Sequence, residues 1–228
     1  MILITGASKG IGKYLFKELV VNKLPVLGTY NKTDQSTEDK ELLFKVDISN
    51  YIEVDNWINN IRSRLNQIVL INCAGINYNS FAHKADIDKW NKVIDVNIKG
   101  TFNVIHRLLP IMREQNYGRI INLSSVVTSL PTVGISSYVA SKSAINGMTK
   151  VLAKENASKG ITVNAINLGY SYIGMGINEI SKENQQILLK SIPAGRFCKP
   201  EEIFETVSFL INNEYVNGSI IDINGGLI

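Results

Sequence analysis

Ser125, Tyr138 and Lys142 are the residues of this 228-residue chain whose types and spacing point most directly to chemistry. Ser125 follows the apolar run Arg119-Ile120-Ile121-Asn122-Leu123, and Tyr138 comes thirteen residues later, four positions before Lys142. Four residues is about one helical turn, so in a helix the phenol and the ammonium share a face. A neighbouring ammonium favours the phenolate and lowers the phenol pKa from about 10. Bringing it near neutrality takes about three units, roughly 4 kcal/mol of differential stabilisation. A buried lysine with a second positive group, such as an oxidised nicotinamide ring, supplies that much. The tyrosine then works as a general acid or base, and a serine hydroxyl aimed at the same substrate oxygen polarises it. A Y-x-x-x-K spacing also arises by chance on surface helices, so the weight falls on the elements around it.

Those elements begin with Ile2 to Ile4, a short apolar run broken by Thr5-Gly6-Ala7-Ser8-Lys9-Gly10-Ile11-Gly12. A helical pattern with Tyr14, Leu15, Leu19 and Val20 on its apolar face comes next. Strand, glycine-rich turn and helix in that order describe a phosphate cradle, here spaced G-x-x-x-G-x-G. Gly6 allows the tight turn, Gly10 the approach of a pyrophosphate, and Gly12 close packing of helix on strand, while the helix N-terminus offers its N–H groups to the anion. Leu24 to Thr29 reads as a second strand ending in Tyr30-Asn31-Lys32, with no acidic residue before Asp34 to bind an adenosine ribose. Lys9 and Lys32 suit a 2′-phosphate instead, which favours NADP(H) over NAD(H).

Residues 33–40 are polar without an apolar period, and a third strand over Leu42 to Val46 closes on Asp47 and Ile48, where a carboxylate meets an adenine amino group. Ile52, Val54, Trp57, Ile58 and Ile61 stripe the next helix. A fourth strand, Ile68 to Ile71, leads into Asn72-Cys73-Ala74-Gly75, small residues that let the backbone lie against a ribose. Residues 88–114 read as helix interrupted near Gly100 and Pro110, with Asn97 inside it, a position at which asparagine is usually just exposed. A fifth strand delivers Ser124 and Ser125. A helix over residues 137–157 carries Tyr138 and Lys142, with Ala144, Ile145, Met148, Val151 and Leu152 as its apolar positions. Ile161 to Leu168 is a sixth strand, followed by an excursion over residues 170–195 that suits a substrate lid, its pocket shaped by Tyr170, Tyr172 and Met175. Pro200 opens a helix with Ile203, Val207, Leu210 and Ile211 on one face, and Ser219 to Ile223 is the last strand.

Strands alternating with helices predict an α/β fold: a single Rossmann-type domain over residues 1–228 whose doubly wound parallel sheet has about seven strands and helices on both faces. In such sheets ligands bind beyond the carboxyl ends of the strands, where the glycine loop, Asp47, Asn72, Ser125 and Gly169 all fall. The hydrophobic fraction of 45% suits a substantial core, and a net charge of +4 without a basic run argues against a nucleic-acid surface. Cys73 and Cys198 lie far apart and read as free thiols in a reducing, intracellular setting. The chain opens directly in a strand, with no secretory leader expected, and no apolar run is long enough to span a membrane. His83 and His106 show no metal-like spacing, and no metal is expected.

The segments T-G-A-S-K-G-I-G, N-C-A-G, V-N-I-K-G, I-N-L-S-S-V, Y-V-A-S-K and D-I-N-G-G stand in the order and spacing of the short-chain dehydrogenase/reductase family. Over essentially its whole length the chain resembles that family, and within it most of all the 3-oxoacyl-[acyl-carrier-protein] reductases. The resemblance implies a catalytic set of Asn97, Ser125, Tyr138 and Lys142, with Asn97 holding a water in a proton relay behind the lysine. It places cofactor contacts on Gly6, Ser8, Lys9, Gly10, Ile11 and Gly12; on Asn31, Asp47 and Ile48; on Asn72, Ala74 and Gly75; on Tyr138 and Lys142; and on Gly169 and Ser171. It further implies reduction of a ketone by NADPH, cytoplasmic location and a homotetramer in which the helices after Asn97 and around Tyr138 pack between subunits.

The chain departs from the family pattern in three places. Cys73 replaces an asparagine, which reads as a change in packing. Leu168 and Ile173 stand where a proline and a cofactor-binding threonine are usual, with Ser171 as a substitute hydroxyl. The two basic positions that hold an acidic acyl carrier fall on Asn116 and Lys159, so one charge remains. The leading reading is an NADPH-dependent reductase of a small ketone, with attachment of the substrate to an acyl carrier left open by the missing charge. A sugar or polyol dehydrogenase running oxidatively uses the same residues, and a non-catalytic dinucleotide-binding regulatory module has no need of all four.

Overall fold

The computed structural model describes residues 1–32, 41–130, 132–175 and 181–228. The polar connection expected at 33–40, Pro131 and the middle of the expected lid lie outside them. Seven strands form one parallel sheet: β1 (Ile2–Thr5), β2 (Val26–Tyr30), β3 (Leu43–Lys45), β4 (Val69–Asn72), β5 (Gly118–Ser125), β6 (Ile161–Leu168) and β7 (Ile220–Ile223), in the order β3-β2-β1-β4-β5-β6-β7. The described helices are α1 (Gly10–Val21), α2 (Tyr51–Asn60), α3 (Ile87–Ile94), α4 (Thr101–Gln115), α5 (Ser136–Asn156), α6 (Lys182–Ser191) and α7 (Pro200–Asn212), of which α6 belongs to the expected lid and buries none of its residues.

Strand residues alternate between two cores, as a pleat covered on both faces requires. Leu3, Leu27, Leu70, Ile120 and Val163 turn toward α2, α4 and α5, meeting Val54, Trp57, Ile58, Ile105, Leu108 and Leu152. Ile2, Ile4, Val26, Val69, Ile71, Ile121 and Ile166 turn the other way, toward Leu15, Phe16 and Leu19 of α1 and Ile203, Val207 and Leu210 of α7. Both β1 and β6 are buried throughout; β1 opens as an apolar run, while β6 carries the buried polar residues Thr162, Asn164 and Asn167 among its apolar ones.

Three local expectations are corrected. Ile52 and Val151, assigned to apolar faces, are exposed at the surface. They are apolar residues just outside the buried arcs of α2 and α5. The expected interruption at Pro110 is absent: α4 runs through it, with the proline on the solvent side, where lengthened hydrogen bonds tolerate a missing N–H. The irregularity near Gly100 is a π-helical turn, Asp95–Gly100, joining α3 to α4 without a break. A Cβ on Gly100 would lie 2.7 Å from Ile48 Cγ1, so the turn packs directly on the loop after β3.

Between β1 and β4 the strand order reverses, and the loops leaving their carboxyl ends open a crevice at that switch point. Gly28 lets β2 pack closely in the core beneath α1, since a Cβ there would sit 2.5 Å from Ala7 Cβ and 2.7 Å from Leu43 Cδ2. Gly28→Ala is expected to destabilise the protein by about 1–3 kcal/mol through overpacking. Urea denaturation reads this out; an unchanged midpoint would show that β2 relaxes freely.

Candidate active site

The phosphate cradle is built by contacts that exclude side chains. Gly6 has φ +70°, and a Cβ on it would lie 2.7 Å from Ala74 Cα. Thr5 Oγ1 accepts from Ala74 N at 3.2 Å, tying the glycine loop to the segment after β4. A Cβ on Gly12 would lie 2.3 Å from the Gly6 carbonyl, so this glycine lets α1 rest on its own loop. Gly10, at φ +55°, leaves room for the chain near Gly174, whose Cα would be 3.1 Å from an added Cβ. Lys9 caps α1 in extended conformation without a side-chain hydrogen bond, so the first-turn N–H groups of Gly10, Ile11 and Gly12 form an anion site of helix-dipole type. The cradle fits a dinucleotide pyrophosphate on these steric grounds. Ser8 is buried beneath the loop, while Lys9 and Lys32 are exposed at its edge.

At the adenine side, Asp47 Oδ1 accepts from Ser49 N at 2.9 Å and Ser49 Oγ at 2.6 Å. Lys92 lies 3.7 Å from the same carboxylate. Burial disfavours the charge, but the Ser49 hydrogen bonds, Lys92 and the Asn31 side chain outweigh it and hold the carboxyl below its usual range. Asn31 and Asp47 are thus hydrogen-bonded neighbours, whereas the Ile48 side chain is buried in the core against Gly100. Asn72 is placed differently from Ala74 and Gly75. Its side chain is buried and donates to Asn122 Oδ1 at 2.9 Å, and Asn122 donates in turn to Thr149 Oγ1 at 3.0 Å. This ladder ties β4 and β5 to α5, and Asn72 Oδ1 has no partner in it.

Ser125 ends β5, and Tyr138 and Lys142 lie one turn apart on α5, which crosses the sheet beside it. Lys142 is 6% exposed; its Nζ lies 5.5 Å from the Tyr138 ring centroid and donates to the Leu123 carbonyl at 2.6 Å. Burial lowers its pKa to about 8. A thiolate at Cys73 would oppose that, but burial pushes the Cys73 thiol up to about 12, so at neutral pH the ammonium has no ionised partner there. Ser125 Oγ accepts from Val127 N at 3.4 Å, which leaves the hydroxyl hydrogen to be donated outward.

Asn97 is buried at 1% exposure, against the usual fate of a mid-helix asparagine. Its Oδ1 accepts from Ile76 N at 2.9 Å, and its Nδ2 donates to Ile76 O and Ser141 Oγ, both at 3.0 Å. It thereby clamps the segment after Gly75 to α5. A Cβ on Gly75 would meet Asn97 Oδ1 at 3.4 Å and Lys142 Nζ at 3.7 Å, which puts both polar atoms on one wall. The π-helical turn carries this residue, a frequent association for functional helices. Sequence reasoning missed Thr5, Ser141, Asn122 and Thr149 as supporting residues; Asn122, polar within an apolar strand, was the one visible signal.

Beyond β6, Gly169 packs under Asn224, and the buried Ser171 hydroxyl donates to the Ile173 carbonyl at 2.5 Å. Leu168 is absorbed into the core. The lid neck is fastened by Tyr172 N to Cys198 O at 3.1 Å and Cys198 N to Tyr170 O at 2.9 Å, with Phe197 packed against Tyr170 and Tyr172. Asn116 and Lys159 sit beside the amino ends of β5 and β6, at the opposite edge of the sheet from Ser125.

The class that this fold and site define is borne out by comparison: the chain belongs to the short chain dehydrogenase family, whose model matches residues 1–184. It is accordingly an oxidoreductase working between alcohol and carbonyl with a nicotinamide dinucleotide. Among curated relatives it is 37% identical over 232 residues to an acetoacetyl-CoA reductase of Shinella zoogloeoides, covering 98% of this chain and 96% of that one. It is 34% identical over 238 residues to the 3-oxoacyl-[acyl-carrier-protein] reductase FabG of Staphylococcus epidermidis, covering 99% and 97%. The crystal structure of a 3-oxoacyl-[acyl-carrier protein] reductase from Brucella melitensis superimposes with a TM-score of 0.90 at 30% identity, covering 99% of this chain and 90% of that one.

The buried lysine has a consequence for stability. Below pH 8 folded and unfolded chains both carry its proton, and the cost of burying the charge is present in full. Between about 8 and the ordinary value of 10.5 the folded state sheds the proton first, and the cost is relieved. The unfolding free energy of wild type is therefore expected to rise relative to Lys142→Met by about 3 kcal/mol across that window. Urea titrations of both proteins at a series of pH values measure it; a constant difference would contradict the burial of a charged group.

Proposed function

We propose that the protein is an NADPH-dependent reductase of 3-oxoacyl thioesters. The observation that carries the reading is the convergence of a serine hydroxyl, a phenol and a buried ammonium at the carboxyl ends of β4 to β6, beside a cradle shaped for pyrophosphate. Both curated relatives described above bear names for 3-oxoacyl thioester reduction, which supports this substrate class. Preference for the 2′-phosphate rests on the exposed Lys9 and Lys32 and on a β2 end, Tyr30-Asn31-Lys32, without a carboxylate.

The bound dinucleotide supplies the hydride. Tyr138 donates its phenolic proton to the oxygen on which negative charge develops. Ser125, its lone pair engaged by Val127 N, donates its hydroxyl hydrogen to that oxygen and stabilises the charge. Lys142, held by the Leu123 carbonyl, keeps positive charge beside the phenol and eases its loss of a proton. Asn97 belongs to the same machinery through the wall it forms beside Lys142, where the expected water relay would start. The Cys73 and Cys198 thiols, neither in a disulfide, suit the cytoplasm. Phe102 on α4 and Val151 on α5 present apolar surface to solvent and suit the helix packing of a homotetramer.

Loss of NADPH absorbance with acetoacetyl-CoA tests the reading. Tyr138→Phe is expected to lower kcat by about 10²–10⁴-fold, the usual contribution of a positioned general acid. NADPH is expected to outperform NADH, with Lys32→Asp narrowing the difference. Undiminished turnover in Tyr138→Phe would remove the proposed acid, and tight NADPH binding without turnover would move the substrate to sugars or polyols.

A further inference from the structure

The short 3₁₀ turn Val126–Thr128 behind Ser125 is joined to α5 and to two further strands by a chain of polar side chains that the mechanism above does not use. Thr128 Oγ1 donates to the Ser125 carbonyl at 3.0 Å. Asn146, one turn beyond Lys142 on α5, has its Nδ2 3.3 Å from Thr128 Oγ1 and 3.1 Å from Asn167 Oδ1 on β6. Asn167 Nδ2 in turn donates to Asp222 Oδ1 on β7 at 3.0 Å. Ser124 and Asp222 are the register partners of Asn167 on its two sides, so the row crosses β5, β6 and β7 on the face covered by α5. A second tether runs from Ser124 Oγ to the Lys142 carbonyl at 3.3 Å.

The direction of every bond in this chain follows from its last member. An ionised carboxylate only accepts, so Asp222 obliges Asn167 to present its NH₂ to it. Asn167 Oδ1 then faces α5, and Asn146 must answer with its own NH₂. That amide gives its second hydrogen to Thr128 Oγ1, whose hydroxyl hydrogen is left for the Ser125 carbonyl. The polarity orients the turn from which Val127 N reaches Ser125 Oγ. Asn146 Oδ1 is left buried without a partner, a cost that the opposite amide orientation would relieve only by setting oxygen against oxygen at Asn167.

We propose that Asn146 is a positioning residue: poled by Asp222 through Asn167, its amide fixes the turn behind Ser125 to the helix that carries Tyr138 and Lys142. This rests on the reductase reading in that its effect is exerted through the Ser125 hydroxyl. The test is a double-mutant cycle with acetoacetyl-CoA and NADPH on Asn146→Leu and Ser125→Ala. Asn146→Leu is expected to lower kcat by about 10- to 100-fold, the usual consequence of a displaced catalytic group, with KM and the NADPH Kd within about two-fold. In the Ser125→Ala background the same substitution is expected to cost nothing further, whereas a merely structural role gives losses that multiply. Multiplied losses overturn the proposal.

Asp222 is exposed, so Asp222→Asn leaves the core intact and carries the test should Asn146→Leu fail to fold. It frees both amides to reverse, and a fall of a few-fold in kcat, again absent without Ser125, is expected; wild-type turnover in Asp222→Asn overturns the poling. Amide hydrogen exchange at Val127 and Thr128 reads the tether without any substrate. Faster exchange in Asn146→Leu supports it even where the thioester reading fails, and unchanged exchange counts against it.

Discussion

A single ammonium taken out of water constrains much of this structure. Lys142 is buried beside Tyr138 with a main-chain carbonyl, not a carboxylate, as its hydrogen-bonded partner. A carboxylate would remove the strain but would also neutralise the charge that acts on the phenol. The fold instead spends stability on an ionised group, which the proposed reading puts to use beside the phenol. The partner must then be rigid, and the Leu123 carbonyl is, because β5 lies between β4 and β6 and is hydrogen-bonded on both sides.

The same constraint explains how α5 meets the sheet. A helix carrying only apolar contacts could slide over aliphatic side chains at little cost. Here Thr149 meets the Asn72–Asn122 ladder, the Lys142 carbonyl meets Ser124, and Asn146 meets Asn167. Each contact has a direction and a length, so register errors leave buried polar groups unpaired. Asparagines inside otherwise apolar strands thus mark where precision is required of the helix above. The glycine loop solves the opposite problem by removing side chains, which lets backbone approach backbone and ligand at once.

What was legible in the sequence follows the range of the interactions concerned. The glycine turn between β1 and α1 and the one-turn separation of Tyr138 and Lys142 on α5 depend on near neighbours in the chain, so these local geometries could be read from the order of elements around them. The parallel, doubly wound sheet followed from alternating elements and right-handed crossovers. Asn97 was misread as an exposed residue on its own because its partner, Ile76, reaches it only when the loop after β4 folds back. The solvent-side Pro110 and the exposed Ile52 and Val151 were opaque for a related reason: period shows which residues share a face, but only packing shows how wide the buried arc is. The Thr128–Asn146–Asn167–Asp222 chain joins four elements far apart in sequence, and no local pattern announces it.

The position of β7 has a consequence in time. During synthesis β1 to β6, with the glycine loop, Ser125, Tyr138 and Lys142, emerge before the strand that bears Asp222. A nascent chain can therefore collapse around its central strands with the two amides of Asn146 and Asn167 still free to turn either way. Docking of the last strand then selects one amide orientation, so maturation of the catalytic geometry is coupled to completion of the sheet's far edge.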